Sequence, residues 1–473
     1  MKNASRFEPT SGAVIDPAGL LTDKIADAAS SLGTKPASSG IVRVEVETEP
    51  VDPLHWLSAQ QCDQKIYWRS REGNREIAGA GAAEIYQLVQ FDQFHSILDR
   101  IRQCSERGGN APRYFGGFRF DPNNVERNGD SLWRPFGAGM FLLPRFELIR
   151  DADSCRLVCN VTLESPTAKT PTRILEELDR LVFDPGNLGD SVVSPCKRID
   201  EPSRLDWTMN IGDALRLFAT DRMQKIVLAR RISCEFNSQL NCWRILKCLR
   251  ERSVNSYLFG FQPSADTAFV GASPELLYHR RGRTVASEAL AGTRPRGVAA
   301  GEIPDGDDKR LEQELLHSDK DLREHRFVAG SLEESLRTVC RDMTVENRVS
   351  VRKLARLQHL VSAFRGTLRP DVSDLDILKA LHPTPAVGGY PEDTALQEIA
   401  LLESFDRGWY AGPIGWVGGD EAEFAVAIRS GLVRQNHLVL YSGAGIVEGS
   451  TPDDEWQEIE DKIDSFLSVM AGQ

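Results

Sequence analysis

The chain begins with a segment rich in Ser, Gly, Ala and Pro, in which only Leu20–Leu32 has the spacing of an amphipathic helix. Residues 1–40 therefore read as a loosely attached leader or short helix. From Ile41 the pattern changes to short apolar runs separated by turn residues. Ile41-Val42-Arg43-Val44-Glu45-Val46 alternates at period two, as a half-buried strand does, and Phe115–Phe120 and Cys155–Val161 read similarly. A polar, Pro-bearing segment, Gly186–Pro202, has the composition of a connection between two halves. Beyond it Trp207–Thr220 keeps the helical period, and Lys225–Arg230 is a strand. Phe269–Leu277 and Thr284–Leu290 form a predicted hairpin, joined through Arg280-Arg281-Gly282-Arg283. Gly301–Asp308, acidic and Gly-bearing, is expected to be a mobile loop, and Leu311–Cys340 a long helical stretch.

No internal repeat is present, and strands without regular βαβ alternation predict an α+β fold. The expected organisation is a leader over 1–40, one half over 41–200 and another over 201–473, with 41–473 as one structural unit. The 473 residues, 41% hydrophobic and 27% charged, have the balance of a soluble globular protein. A net charge of −12 argues against a nucleic-acid partner, while a local basic pocket for a small anion stays open. No window reaches the roughly 18 apolar residues of a membrane span. Met1–Glu8 lacks the apolar stretch of a signal peptide. The 9 cysteines are scattered, without a CxxC pair or zinc-type spacing, which fits reduced thiols in the cytoplasm.

Two acidic pairs are the first chemical signal. Asp321 and Glu324, and Glu455 and Glu458, are each spaced to share one helical face. Brought together, the two faces would make an all-oxygen site suited to Mg²⁺; apart, they are ordinary solvated surfaces. Gly-rich turns at Ala291-Gly292-Thr293-Arg294 and Ser442-Gly443-Ala444-Gly445-Ile446 could present backbone N–H groups to a carboxylate, or simply serve as turns. Arg429 lies in Phe424–Ser430, an otherwise apolar strand, where it needs either a ligand carboxylate or a structural ion pair. Lys225 opens an apolar strand and Glu275 ends Gly271-Ala272-Ser273-Pro274-Glu275. Burial would make the first a general base and the second a general acid; a capping Lys and a surface Glu are the plainer reading. His359 and His382 lack metal-spaced partners.

The strings resemble those of the chorismate-utilising enzymes. In family order they are KIVLAR (Lys225–Arg230), GASPELL (Gly271–Leu277), EALAGTRPRG (Glu288–Gly297), SDKDLREH (Ser318–His325) and LQHL (Leu357–Leu360). LHPTPAVGGYP (Leu381–Pro391), RGWYAGPIGW (Arg407–Trp416), AIRSGLV (Ala427–Val433), SGAGIVEGS (Ser442–Ser450) and EWQEIEDK (Glu455–Lys462) follow. The resemblance implies two large packed antiparallel sheets with outer helices. It implies Glu324 and Glu458 as Mg²⁺ ligands assisted by Asp321 and Glu455, although the family usually has Glu at the position of Asp321. Arg429, Tyr410, Lys462, Gly443 and Gly445 would grip the enolpyruvyl carboxylate of chorismate, and Gly292, Thr293, His359 and Ala386 would line the rest of the substrate site.

By the same resemblance Lys225 is the base that activates water for attack at C2, and Glu275 the acid that protonates the departing C4 hydroxyl. Relatives that use ammonia from a glutaminase subunit usually lack the lysine, so no glutaminase partner is expected. HPTPAVGG and RGWYAGP are similar to the stand-alone isochorismate synthases, which are isomerases and commonly monomers. A salicylate synthase, which goes on to eliminate pyruvate, is the main alternative; a non-catalytic chorismate-binding relative is another. Asp52-Pro53-Leu54 and Gly116–Pro122 lean toward the salicylate-siderophore type, with menaquinone synthesis the other destination.

Overall fold

The structure is a computed structural model that describes residues 16–32, 40–106, 111–121, 132–162, 171–184, 186, 188–189, 194–296, 306–345, 349–354 and 357–470. Among them are eleven α-helices and twenty strands, every strand pair antiparallel, which gives the expected α+β class. The strands form two branches that share Gly139–Asp151. One branch passes through Arg75–Leu88, Lys65–Arg69, Tyr257–Ser264, Thr267–Ser273, Ser430–Arg434 and His437–Val447 to Lys225–Glu235. The other leaves by Tyr114–Phe118 and runs through Pro413–Val417, Glu421–Val426, Leu276–Arg281 and Thr284–Pro295 to Leu357–Leu368.

The branches are tied across their faces. The Trp68 indole donates to Glu423 Oε2 at 2.7 Å, and Arg71 reaches Glu288 at 2.5 Å. A single apolar core includes Trp133, Phe136, Phe269 and Trp409, whose rings meet mainly edge to face. No helix among the described residues is long and apolar enough to cross a membrane.

Several elements differ from the sequence reading, each for a local reason. The segment Pro17–Leu32 is the short helix of the two readings offered for it, and it is docked through buried Leu21 and Ile25. The Gly186–Pro202 connection contains a strand, Lys197–Glu201, paired with Lys225–Glu235. The long helical stretch is two helices, Gly306–His317 and Asp319–Val339. Ser318 breaks it because its side chain accepts from the Asp321 N–H and so caps the second helix. Gly306–Asp308 opens the first helix instead of a loop, while residues 301–305 lie outside the described residues.

Phe269–Leu277 is not one strand. Thr267–Ser273 and Leu276–Arg281 are separated at Pro274-Glu275, where proline has no N–H to give a ladder. The hairpin that turns at Gly282 is therefore Leu276–Arg281 with Thr284–Pro295, and Thr267–Ser273 pairs elsewhere. Likewise the Arg429 strand ends at Val426. Arg429 itself has φ 52°, a left-handed conformation that a non-glycine residue adopts only under constraint.

One buried ion pair fastens three of these segments. Arg407 and Glu403 meet through two hydrogen bonds, Nε–Oε2 at 2.8 Å and Nη2–Oε1 at 2.5 Å. Arg407 also donates to Val227 O and Val387 O, and Glu403 accepts from the Ala229 N–H. Removing one partner strands the other charge in the core. Arg407→Met should therefore lower unfolding free energy by about 3–5 kcal/mol in a denaturant titration. A loss under about 1 kcal/mol would show that the pair is not holding these segments.

Candidate active site

The strand Lys225–Glu235 lies beside His437–Val447 with Lys225 opposite Val447, Val227 opposite Gly445 and Ala229 opposite Gly443. Residues two apart share a face, so on the neighbouring strand this face is built at two positions from glycine. The space they leave is used. A β-carbon at Gly445 would lie 2.4 Å from Glu324 Oε1 and 3.2 Å from Lys225 Cε. In that space the wholly buried Lys225 amine donates to Glu324 Oε1 at 3.0 Å.

Glu324 belongs to the helix Asp319–Val339, whose inward face runs Asp321, His325, Val328, Leu332 and Leu336. The acidic start of that face continues an apolar stripe, so Asp321 is buried and is not on a solvated face. The helix Pro452–Met470 repeats the plan with Glu455, Ile459, Ile463 and Phe466 buried.

The four carboxylates each have a cation. Asp321 accepts from Arg294 at 2.8 Å, Glu324 from Lys225 at 3.0 Å, Glu455 from Lys320 at 2.9 Å and Glu458 from Lys462 at 2.6 Å. Among the described residues, no three His, Cys, Asp or Glu side chains already converge as a metal-holding group. The acids nevertheless share a field. Burial raises the pKa of Glu455 and the neighbouring Glu458 charge adds to it. Burial opposes the charge of Lys320, yet Glu455, Glu458 and Glu324 together raise its pKa. Lys320 is thus a stand-in cation between carboxylates of two helices. That donor set, all carboxylate oxygen with a cation already among it, fits a magnesium ion.

Around this centre lies a cleft of about 80 Å³, partly open to solvent. Glu275, Gly292, Thr293, Glu324, His359, Ala386, Tyr410, Arg429, Gly443, Gly445, Glu458 and Lys462 all line it. Lys225 reaches its wall through Glu324, while Asp321 and Glu455 stand behind. Sequence reasoning missed the apolar walls Val227, Leu290, Val387 and Ile428, the hydroxyl of Ser442, and the counter-ions Lys320 and Arg294. Lys320 sits beside Asp321 in SDKDLREH, but its reach to another helix has no sequence signal. His382 is elsewhere, with Nε2 2.9 Å from Phe120 O, in a structural role.

Individual groups show what the cleft can do. Glu275 sits at the strand break, its N–H donating to Ser273 Oγ and its carbonyl accepting from the Val426 N–H. Burial pushes its carboxyl up to about 8, against the opposing pull of Lys225 and a 3.5 Å contact from Thr384 Oγ1. Arg429 is a guanidinium with no ion-pair partner among the described residues; desolvation brings its pKa down to about 10, with Tyr410 and Glu458 opposing. It remains a cation at neutral pH, held ready for an anion. Gly292, at φ 76°, forms a bulge that lets Asp321 approach and sets Thr293 opposite His359. His359 stays neutral, chiefly through burial and then the nearby Arg429 and Lys462 charges. Its Nδ1 lies 3.1 Å from Thr293 Oγ1, and its buried Nε2 has no protein partner. Lys462 is fixed by Gly443 O at 2.9 Å as well as by Glu458.

A larger cleft of about 910 Å³ includes Arg71, His279, Arg281, Glu288 and Glu421. Its charges are largely matched internally, Arg71 with Glu288 and both His279 and Arg281 with Glu421, and it contains none of the catalytic, substrate-binding or metal candidates. Unmatched charge, and not size, selects the smaller cleft.

Comparison with known proteins shows the family. The family model described as "Chorismate binding enzyme" matches residues 25–471. Isochorismate synthase 2, chloroplastic, of Arabidopsis thaliana is 34% identical, over 95% of this chain and 84% of its own. Isochorismate synthase MenF of Bacillus subtilis (strain 168) is 33% identical over 90% and 93%. The solved structure of MenF, the menaquinone-specific isochorismate synthase of Escherichia coli, superposes with a TM-score of 0.82 at 30% identity, covering 95% of this chain and 99% of that one.

The protonated Glu275 has a measurable consequence for folding. In the unfolded chain its carboxyl ionises near the usual value of 4.5, whereas in the fold it keeps its proton to about 8. Its contribution is intact below about 4.5 and is lost as pH rises through about 8. Glu275→Gln should therefore gain melting temperature relative to the parent as pH goes from 5 to 9. Parallel curves over that range would mean that Glu275 is not buried as an acid.

Proposed function

The chain belongs to the chorismate binding enzyme family, and from that premise we propose that it is an isochorismate synthase: it adds water at C2 of chorismate and expels the C4 hydroxyl. Support comes from the named relatives and, above all, from a carboxyl kept protonated at neutral pH, Glu275, in the field of a buried lysine, Lys225. The reaction needs both functions, because entering water and leaving hydroxyl sit on different carbons and their protons move in opposite senses.

Arg429, Tyr410 and Lys462, with the glycine backbone at 443 and 445, would take the enolpyruvyl carboxylate, since all line the one cleft. The unpaired guanidinium supplies the charge and the glycines the close approach. Gly292, Thr293 and His359 border the ring, where the open Nε2 lone pair or N–H of His359 can meet a hydroxyl. Ala386 and Val387 close the apolar side. Lys225 takes the proton from water as the oxygen bonds to C2, the ring double bonds shift, and Glu275 gives its proton to the C4 oxygen, which leaves as water. One water enters and one departs, and solvent returns the protons to their starting groups.

Glu324 and Glu458 would hold a magnesium ion, with Asp321 and Glu455 assisting. When bound, the ion would neutralise the ring carboxylate of the substrate. Held at both carboxylates, chorismate is presented to acid and base in a fixed orientation, which removes most of the entropic cost of attack.

Purified protein incubated with chorismate and Mg²⁺ should give isochorismate by chromatography. Salicylate with pyruvate as the main products, or turnover only with ammonia, would overturn the reading. Lys225→Ala and Glu275→Gln should each reduce kcat by about 10²–10⁴-fold while keeping a cooperative melt. The parent's kcat/KM should decline above about pH 8, where Glu275 loses its proton. Near-parental rates in either variant would refute the acid–base assignment.

A further inference from the structure

The four cations at the acidic centre are not equivalent. Lys225 is wholly buried, Lys462 is also committed to Gly443 O, and Arg294 serves Asp321 at the flank. Lys320 is different. It stems from the helix Asp319–Val339, crosses to Glu455 of the helix Pro452–Met470 with a 2.9 Å contact, and its side chain is 42% exposed. The carboxylates of Glu458 and Glu324 act on it as well. It is therefore the cation with both a central seat and a route out, on a flexible four-carbon stem.

We propose that Lys320 is a tethered counter-ion that holds the acidic centre in the metal-free protein and must be displaced, or pushed aside, when a divalent cation enters. It thereby sets how tightly the centre takes the ion. The inference rests on the magnesium reading given above and adds a regulator to it. Asp321, Glu324, Glu455 and Glu458 are balanced one for one by Arg294, Lys225, Lys320 and Lys462. A divalent cation arriving alone therefore meets a centre of no net charge, and binds it weakly. A divalent cation and a dicarboxylate substrate arriving together keep the balance. Lys320 in this way makes metal binding depend on substrate, and its loss would let the metal load by itself.

The test is calorimetric titration of MgCl₂ into the metal-free, substrate-free protein at constant ionic strength. Lys320→Gln should bind Mg²⁺ about tenfold more tightly than the parent, and Lys320→Arg, which keeps the charge, should bind like the parent. Without metal, Lys320→Gln should also melt lower, since Glu455 then lies beside the Glu458 charge without its own counter-ion, and Mg²⁺ should raise its melting temperature more than it raises the parent's. Equal Mg²⁺ affinity in parent and Lys320→Gln would overturn this inference while leaving the metal site in place. Equal tightening in Lys320→Arg would overturn it too, by showing that shape and not charge matters. Absence of Mg²⁺ binding in all three, with or without chorismate, would remove the metal reading itself.

Discussion

A charge taken out of water must be met by an opposite charge, or by a ligand that brings one. That requirement orders the site region of this chain. Arg407 and Glu403 satisfy it completely, sealed in the core and bonded to three backbone groups besides each other. The acidic centre satisfies it residue by residue, four carboxylates against four cations. Arg429 is left over, a guanidinium without an ion-pair partner among the described residues, and it lines the cleft that the other groups enclose. The cost of holding an unmatched cation there is recovered only when an anion binds, which is why this cleft can be selective for a carboxylate.

The fold supplies what charge alone cannot, namely places where chains come close or depart from regular structure. Glu275 sits where proline ends one strand before the next begins. Arg429 sits in a left-handed residue between two strands, and Thr293 beside a bulge at Gly292. Each irregularity turns one side chain out of the sheet's alternation and toward the cleft. Gly445 and Gly443 do the reverse, withdrawing side chains so that Glu324 and Lys225 can pack against the first and Val227 and Tyr410 against the second.

These irregularities also mark the limit of what the sequence discloses. The α+β class, the strand Lys225–Glu235 and the helix carrying Asp321 and Glu324 are legible because period-two and helical spacing record which face is buried. The breaks at Ser318 and Pro274 are carried by single residues inside long apolar patterns, and pattern reasoning runs through them. The site residues come from the resemblance of short strings, and the cleft collects all but Lys225, Asp321 and Glu455, which stand behind its wall. Spacing alone leaves the acidic pairs open between a shared metal site and solvated faces, since it cannot show that the stripe below Asp321 and Glu455 is apolar on the same side. Lys320 and Arg294 went unseen for a simpler reason: an ion pair across two helices, or from strand to helix, leaves no periodic trace.

The pairing pattern also explains how an acid and a lysine coexist in one small cleft. Left to themselves, Glu275 and Lys225 would exchange a proton and form an ion pair, ending the usefulness of both. The structure gives the lysine another carboxylate, Glu324, at 3.0 Å, while Glu275 receives only the long Thr384 contact and a dry surrounding. Burial then outweighs the residual attraction of Lys225, and Glu275 keeps its proton to about 8. Separation of the two roles thus depends on a third residue that takes no part in either proton transfer. If Glu324 is committed to a cation when substrate is present, the lysine's partner is withdrawn at the moment its amine is wanted, and the acid is already in the required form. The centre proposed to hold the substrate's ring carboxylate and the group proposed to activate water would in this way be coupled through one carboxylate.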